Sequence, residues 1–496
     1  MGGVKMEVDE IGLAVYNRVN YLCHCERNPW RYVMLPTKIV VIGAGSASFG
    51  LNTIAALLKS SRLRGSQIAL VDRNAERVEL MGRLAVRLNR EWDADMTITT
   101  HTHHRDALPD AHFVVSAIEV NPREELWQRD FEITRKHGVR QPYAENGGPG
   151  GFAHALRNVK PVLEIAQAME EACPNAWFVN YSNPMIRICD AIARYSKIKV
   201  VGLCHQIYEG YGLVGLTLAD ELGITVPPGL VNTNADPDIW PKMGQVIRQT
   251  RPLIDIKAAG LNHFTWMLDI RDKRTGADLY PLVRERWQHH STDFEPLTTR
   301  MFHAFGRLPV PGDQHLCEYL PWLSNPVTKP WEKYNIALYR WSVNNQRREN
   351  RLQEIAAMAD GRVSIDALAG ADSEGALEVI ESIAGAGQHY HLAVNLPNQG
   401  QITNLPVGAI VETPGFSNGA GIQPLTLGAL PEGIAELCRR ETTVARLAVD
   451  AAVHGDRQAA LQCLLLDPVV DDIEAAQAIL DDYLESYREY LPQFWQ

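Results

Sequence analysis

"KIVVIGAGSASFG", residues 38–50, is the stretch whose reading decides the fold. An apolar run ends in Gly43-Ala44-Gly45, and "LNTIAALLKSSRL" follows with apolar residues at helical spacing. This is strand, glycine turn, helix. The next apolar run, "QIALVDRN", ends in Asp72, 29 residues after Gly43, and leads into the helical "AERVELMGRLAVRLNREW". The glycine pattern is GxGxxxxG, with Ser46 in the turn and Gly50 late. In a β-α-β unit such a turn brings backbone N–H groups and a helix N-terminus to a pyrophosphate. The acid ending the second strand is placed to accept hydrogen bonds from a ribose. A dinucleotide-binding unit is the expectation.

The alternation continues outward. "AHFVVSAI" (111–118) reads as a strand, and 123–139 as a helix. Residues 158–173 read as a helix with Pro161 in its first turn, where proline is tolerated. "AWFVNYSNPM" (176–185) reads as a strand ending in Asn183-Pro184, then a helix, then the strand "IKVVGLCH" (198–205). Apolar strands alternating with helices predict a doubly wound parallel sheet, with ligands beyond the carboxyl ends of its strands. Asn183, Cys204 and His205 fall at that edge. The fold class expected is α/β, an N-terminal Rossmann-like doubly wound parallel sheet with a C-terminal mixed α+β domain. The boundaries expected are 1–36 for an N-terminal extension, 37–225 for the dinucleotide domain, and 226–496 for a substrate, metal and oligomerisation domain. In that last part, 254–272 reads as strand, turn and strand with His263 at the turn. Residues 347–359, 431–454 and 473–492 read as helices, and "NLPNQGQITNLPVGAIVETPGFSNGAG" reads as a polar loop stretch.

A chain of 496 residues exceeds one ordinary core, and 46% hydrophobic with 22% charged residues is a soluble globular composition. The net charge of −11 argues against nucleic acid or an anionic membrane as the main partner. No apolar run approaches a membrane span. The first 36 residues carry acids and no continuous apolar core, unlike a signal peptide, and read as an appendage. The eight cysteines include no CxxC pair, so a reducing cytoplasm is expected. "HTHH" (101–104) and "HH" (289–290) read as solvated histidines without zinc-site spacing.

Asn183, Cys204-His205, His263, and Asp313 with His315 come from four stretches far apart in sequence. A thiolate and an imidazole can hold a divalent cation and leave positions for substrate oxygens and water. Such an ion also favours the thiolate and polarises a carbonyl.

The ordered motifs "GAGS", "VDRN", "ENGGPGGFAHALRN", "NYSNPM", "GLCH", "GLNHF" and "GDQHLCEY", with "NLPNQG" and "LPVGAIVE" beyond them, resemble glycoside hydrolase family 4, the NAD- and divalent-metal-dependent glycosidases. The resemblance implies a redox route. The carbon 3 hydroxyl gives a hydride to NAD, and the resulting ketone acidifies the carbon 2 proton. A base removes that proton, the glycosidic oxygen leaves carbon 1, water adds, and the hydride returns. By motif, Gly43, Gly45, Ser46, Phe49 and Asp72 become NAD contacts, with Asp72 disfavouring the extra phosphate of NADP. Cys204 and His263 become ligands of manganese or another divalent metal. Asn183 becomes a substrate-binding residue, and Glu145 resembles a substrate-contacting acid. Arg129 lies near a position used for sugar or phosphate recognition. The family's 6-phosphoglycosidases resemble "CDMP" or "CNVP" after the metal cysteine, whereas Cys204-His205 resembles the branch acting on unphosphorylated glycosides. His205 then assists leaving-group departure. Asp313 is the first candidate for the carbon 2 base and His315 the second. The segment between Cys204 and His263 is longer than the family pattern, with an insert at 225–253. The resemblance also implies a homodimer or homotetramer. Two alternatives remain open at this point. One is an NAD-dependent dehydrogenase of the lactate/malate type; the other is a non-catalytic NAD-binding sensor.

Overall fold

The computed structural model describes residues 36–47, 49–141, 143, 145–230 and 239–496. The expected N-terminal appendage, apart from Pro36, lies outside them. Strands β1 (Lys38–Ile42), β2 (Gln67–Val71), β3 (Thr97–His101), β4 (Phe113–Ser116), β5 (Trp177–Asn180) and β6 (Lys199–Gly202) pair in parallel in the order β3-β2-β1-β4-β5-β6. This is the strand order of a dinucleotide-binding sheet, and it reverses between β1 and β4. Most of these strands are buried on both faces, as their near-continuous apolar runs require. Only β3, "TITTH" at the edge, lacks an apolar run, which is why its sequence does not announce a strand.

The sheet does not stop at β6. Strands β7 (Ile254–Leu261), β8 (Phe264–Asp272), β9 (His389–Pro397), β10 (Ile410–Asn418) and β11 (Gly421–Pro424) extend it antiparallel, as β6-β9-β10-β7-β8 with β11 on β10. Asn395 of β9 pairs with Gly202 of β6, so hydrogen bonding runs across the expected boundary at 225. Strand β10 corrects the reading of 395–421 as loop. Proline and glycine in "IVETPGFSN" hide the strand, and the register shifts between Thr413 and Gly415, leaving Pro414 at the irregularity.

A second correction concerns Pro161. The helix spans Gly148–Ala172, so Pro161 sits inside it rather than in its first turn. Most of the glycine-rich run "NGGPGG" forms the start of this helix, where small residues permit close packing. A Cβ on Gly147 would lie 2.6 Å from the Glu318 carbonyl oxygen. Of the 225–253 insert, Trp240–Thr250 is a helix against helix Ile207–Thr217, with Met243 and Thr250 facing Gly212 and Gly215. None of its described residues lines the cleft described next.

Candidate functional site

The glycine turn forms one end of a cleft of about 1360 Å³ that reaches Glu145, Ser182 and Asn183 at the other. Gly43 has φ +82°, and a Cβ there would meet the Ala117 carbonyl oxygen at 2.5 Å. Gly50 is the second residue of helix Phe49–Lys59, and a Cβ there would meet the Ala44 carbonyl oxygen at 2.3 Å. Late as it is, Gly50 does the helix-to-strand packing that the third glycine of such a motif does. Asp72 stands at the wall, taking the Gly45 N–H at 2.9 Å and the Asn74 N–H at 2.9 Å. Carboxylate oxygens have further lone pairs for a ribose. Ser46 and Phe49 line the cleft, and Phe49 stacks on Tyr181 with centroids 5.6 Å apart. His103 and His104, read as solvated, stack at 4.6 Å and line this same end of the cleft, because β3 ends beside β2. His290 departs from that reading too: it stacks on Phe294 at 3.7 Å.

At the far end the sheet brings together residues from four segments. Cys204 follows β6 and His263 occupies the β7–β8 turn with φ 59°, an uncommon backbone for histidine. Cys204 Sγ lies 3.4 Å from His263 Nε2. Two ligands of one ion, at roughly 2.3 Å for sulfur and 2.1 Å for nitrogen, stand about that far apart. On the other side of the ring, His263 Nδ1 is 2.9 Å from Asn146 Nδ2 and 3.6 Å from a Glu145 carboxylate oxygen. The His315 ring sits 4.1 Å from that of His263, centroid to centroid. One ligand atom each from Glu145, His263 and His315 lie within 4.8 Å of one another. Glu318 anchors this corner: Oε2 accepts from the backbone N–H groups of Asn146 (2.8 Å) and Gly147 (3.0 Å), and Oε1 lies 2.9 Å from His315 Nδ1.

Electrostatics at the pair favour a cation. Burial, then the charges of His315 and His205, hold His263 well below the usual imidazole range, so it is neutral and free to ligate. Burial, with Glu412 and Glu374, pushes the Cys204 thiol well above its ordinary value against hydrogen bonds from Asn262 and the Gln206 backbone. A bound cation is what would turn that thiol into a thiolate. Thiol and imidazole Nε2 form a pair suited to a borderline divalent ion, with Glu145 on the Nδ1 side of the same ring and the His315 ring beside it. Asn183 Oδ1 is buried with no partner, as expected of an atom awaiting a ligand.

His205 points differently. Its Nδ1 is 2.8 Å from Glu374 Oε2, and that carboxylate is the main reason the imidazole is raised to about 9, against a desolvation that lowers it. Its side chain is 52% exposed, which leaves the ring open to a substrate.

Two of the expected residues lie away from this cluster. Asp313 is fully buried, and its carboxylate takes the N–H groups of Leu297 (3.0 Å) and Thr298 (2.6 Å) at the start of helix Pro296–Phe305. It caps a helix and does not face the cleft, so it is not placed to take a carbon 2 proton. Arg129 is exposed on helix Arg123–Lys136, over the Tyr487 ring at 5.9 Å, and does not line the cleft. Six residues earlier on that helix, Arg123 does line it, 3.8 Å from Glu145 and 4.0 Å from Glu119. Sequence reasoning missed Arg123, Glu119, Asn146, His154 and Glu318. His154, in the quoted motif "ENGGPGGFAHALRN", joins Glu119 Oε1 at 2.6 Å to the Glu145 carbonyl at 2.8 Å.

Comparison with known proteins agrees with this arrangement. The family model "Family 4 glycosyl hydrolase" matches residues 38–213, and "Family 4 glycosyl hydrolase C-terminal domain" matches 258–470. An alpha-glucosidase of Erwinia rhapontici is 29% identical, with 92% of this chain and 99% of that protein covered. The crystal structure of a putative glucosidase from Bacillus subtilis is 27% identical with a TM-score of 0.78, covering 90% of this chain and all of that one. A 6-phospho-alpha-glucosidase from gut microorganisms, solved with NAD and Mn2+, is 20% identical with a TM-score of 0.74 over 92% of this chain and 100% of that one; it shares the fold. The two matched segments between them span most of the sequence, from the glycine turn through both halves of the sheet, and the chain belongs to family 4 of the glycosyl hydrolases.

Proposed function

We propose that this glycosidase acts on an unphosphorylated glycoside, an α-glucoside, α-galactoside or glycuronide, using NAD and a divalent metal such as Mn2+. The observation that carries the reading is the Cys204–His263 pair at 3.4 Å, next to Glu145, which lines the same cleft as the Gly43–Gly45 turn. NAD when bound takes up and returns a hydride, and the metal draws electron density from the sugar's oxygens. Gly43, Gly45, Ser46, Phe49 and Asp72 would hold the dinucleotide. Cys204 and His263 would hold the metal, with Glu145 and His315 within reach of the same ring. Asn183 offers its unpartnered amide oxygen to a sugar hydroxyl. Arg123 fixes the Glu145 carboxylate from the cleft side.

The proton steps fall to this chain's own side chains. His205, held by Glu374, donates to the departing glycosidic oxygen. With Asp313 withdrawn into a helix cap, His315 is the candidate that remains for taking the carbon 2 proton; Glu318 orients its ring from Nδ1 and leaves Nε2 as the acceptor. The solved relative with NAD and Mn2+ supports the cofactor assignment, and the Erwinia alpha-glucosidase supports an unphosphorylated sugar. Membership in a hydrolase family favours this over the hydroxy-acid dehydrogenase and the sensor.

A cytoplasmic site and a dimer or tetramer complete the proposal. Among the described residues six cysteines are free, which suits a reducing compartment, and no helix is long and apolar enough to cross a membrane. The test is a panel of nitrophenyl glycosides and glycuronides, with their 6-phosphates, each assayed with NAD and Mn2+. Turnover of an unphosphorylated member is expected; turnover of the 6-phosphates alone would refute the substrate class.

A further inference from the structure

Glu412 is buried where four strands meet. It stands on β10 opposite Asn395 of β9 and Gly260 of β7, and Asn395 stands opposite Gly202 of β6. Its Oε2 accepts from two side-chain amides, Asn262 Nδ2 at 2.8 Å and Asn395 Nδ2 at 2.8 Å. Asn395 Nδ2 also reaches the Gly202 carbonyl at 3.4 Å. Gly202 is two residues before Cys204, and Asn262 immediately precedes His263. The two halves of the proposed metal pair are therefore tied through one carboxylate oxygen.

The tie also has a direction. An amide turns either its carbonyl or its NH2 toward a neighbour, and only the NH2 is tolerated against an acceptor. One N–H of the Asn262 amide is held on Glu412 Oε2, which fixes the residue that immediately precedes His263. Turned over, the amide would set its carbonyl against Oε2. Asn262 Oδ1 and Asn395 Oδ1 are buried without partners, so Glu412 is what fixes each amide. Buried orphan acceptors cost free energy, and this chain carries two of them beside the pair.

We propose that Glu412 is a positioning residue for the metal site: through the Asn262 and Asn395 amides it holds the His263 turn against the strand that leads to Cys204. This rests on the reading of Cys204 and His263 as cation ligands. The accepting oxygen, rather than its charge, does the positioning. A glutamine can present an oxygen in the same place, whereas a methionine cannot.

The test is Mn2+ binding to the full-length protein with NAD present, read as free Mn2+ by electron paramagnetic resonance, with melting curves for each variant. E412M and N262A are expected to weaken Mn2+ binding by about tenfold or more, and E412Q to stay within about threefold of the parent. If E412M does not fold, N262A carries the same prediction without touching the strand junction. Parent-like Mn2+ binding by folded E412M or by N262A would overturn the proposal, and so would an E412Q as weak as E412M. C204S separates the two levels. If it binds Mn2+ as the parent does, the metal pair itself is misread and this inference falls with it. If C204S loses the ion while E412M and N262A keep it, only the role of Glu412 fails.

Discussion

Cys204 Sγ and His263 Nε2 stand 3.4 Å apart although 59 residues separate them in the chain. Strand β6 delivers one and the β7–β8 turn delivers the other, and the antiparallel extension of the sheet brings the two strand systems together. C204S removes the proposed ligand from a half-buried position without changing its shape much. It should lower turnover by about a thousandfold or more and lose Mn2+, with a melting temperature within a few degrees of the parent, since no bond in the core depends on the sulfur. Activity assays beside melting curves check this.

The His205–Glu374 pair predicts a dependence on the leaving group. Replacing the imidazole with glutamine in H205Q should lower kcat by about a hundredfold for alkyl glycosides, whose alkoxides need a proton. For nitrophenyl glycosides the loss should be within about tenfold, because nitrophenolate leaves unaided. E374Q should follow the same pattern more weakly. An equal loss on both substrate types would remove His205 from the proton step.

Glu119 links stability to pH. Burial alone would raise its carboxyl, but His154 first, then Arg123 and Arg157, bring it down to about 2. A carboxyl lowered in the folded state stabilises the fold above its unfolded pKa of about 4.5, and that contribution is lost as pH falls from there toward 2. E119Q should therefore be less stable than the parent at pH 7, by on the order of 2 kcal/mol. The gap in denaturation midpoint should narrow as the pH is taken from 5 to 3. A gap that is constant across this range would show that the loss is steric.

Arg129 and Arg123 share a helix and should behave oppositely. R129A should leave activity unchanged and stability within about 0.5 kcal/mol, as for other exposed side chains. R123A removes the partner of Glu145 and Glu119 and the cation over Trp127 at 4.1 Å. It should raise KM at least tenfold and lower the melting temperature. Steady-state kinetics of the two variants side by side make the comparison.

D313N addresses the helix cap. Asparagine keeps an acceptor for only one of the two N–H groups now bound, so a loss of about 1 kcal/mol is expected, with the pH profile of kcat unchanged. A vanished acidic limb would restore Asp313 to the chemistry.

The nucleotide half of the molecule was legible because its signals are local. A glycine turn between an apolar strand and a helix, with Asp72 at the end of the next strand, needs no distant information to be read. Cys204 and His263 were legible by motif, and the structure places them together. Asp313 was misread because its partners are backbone N–H groups of Leu297 and Thr298, and nothing in "GDQH" shows that a carboxylate there points inward to a helix end. Arg129 was misread by about one and a half helical turns: polar residues on both faces of "REELWQRDFEITRK" do not say which arginine faces a cleft. Strand β10 was missed because its proline and glycine look like loop, whereas Glu412 in its middle holds three strands together.

Oxidation before cleavage is the central claim, and the most direct measurement is hydrolysis of an unphosphorylated nitrophenyl glycoside in deuterium oxide, with the protein, Mn2+ and substoichiometric NAD. The expected result is a sugar carrying one deuterium at carbon 2, no net NADH, and no turnover when NAD is omitted. Full turnover without NAD, or a product with hydrogen retained at carbon 2, would contradict it.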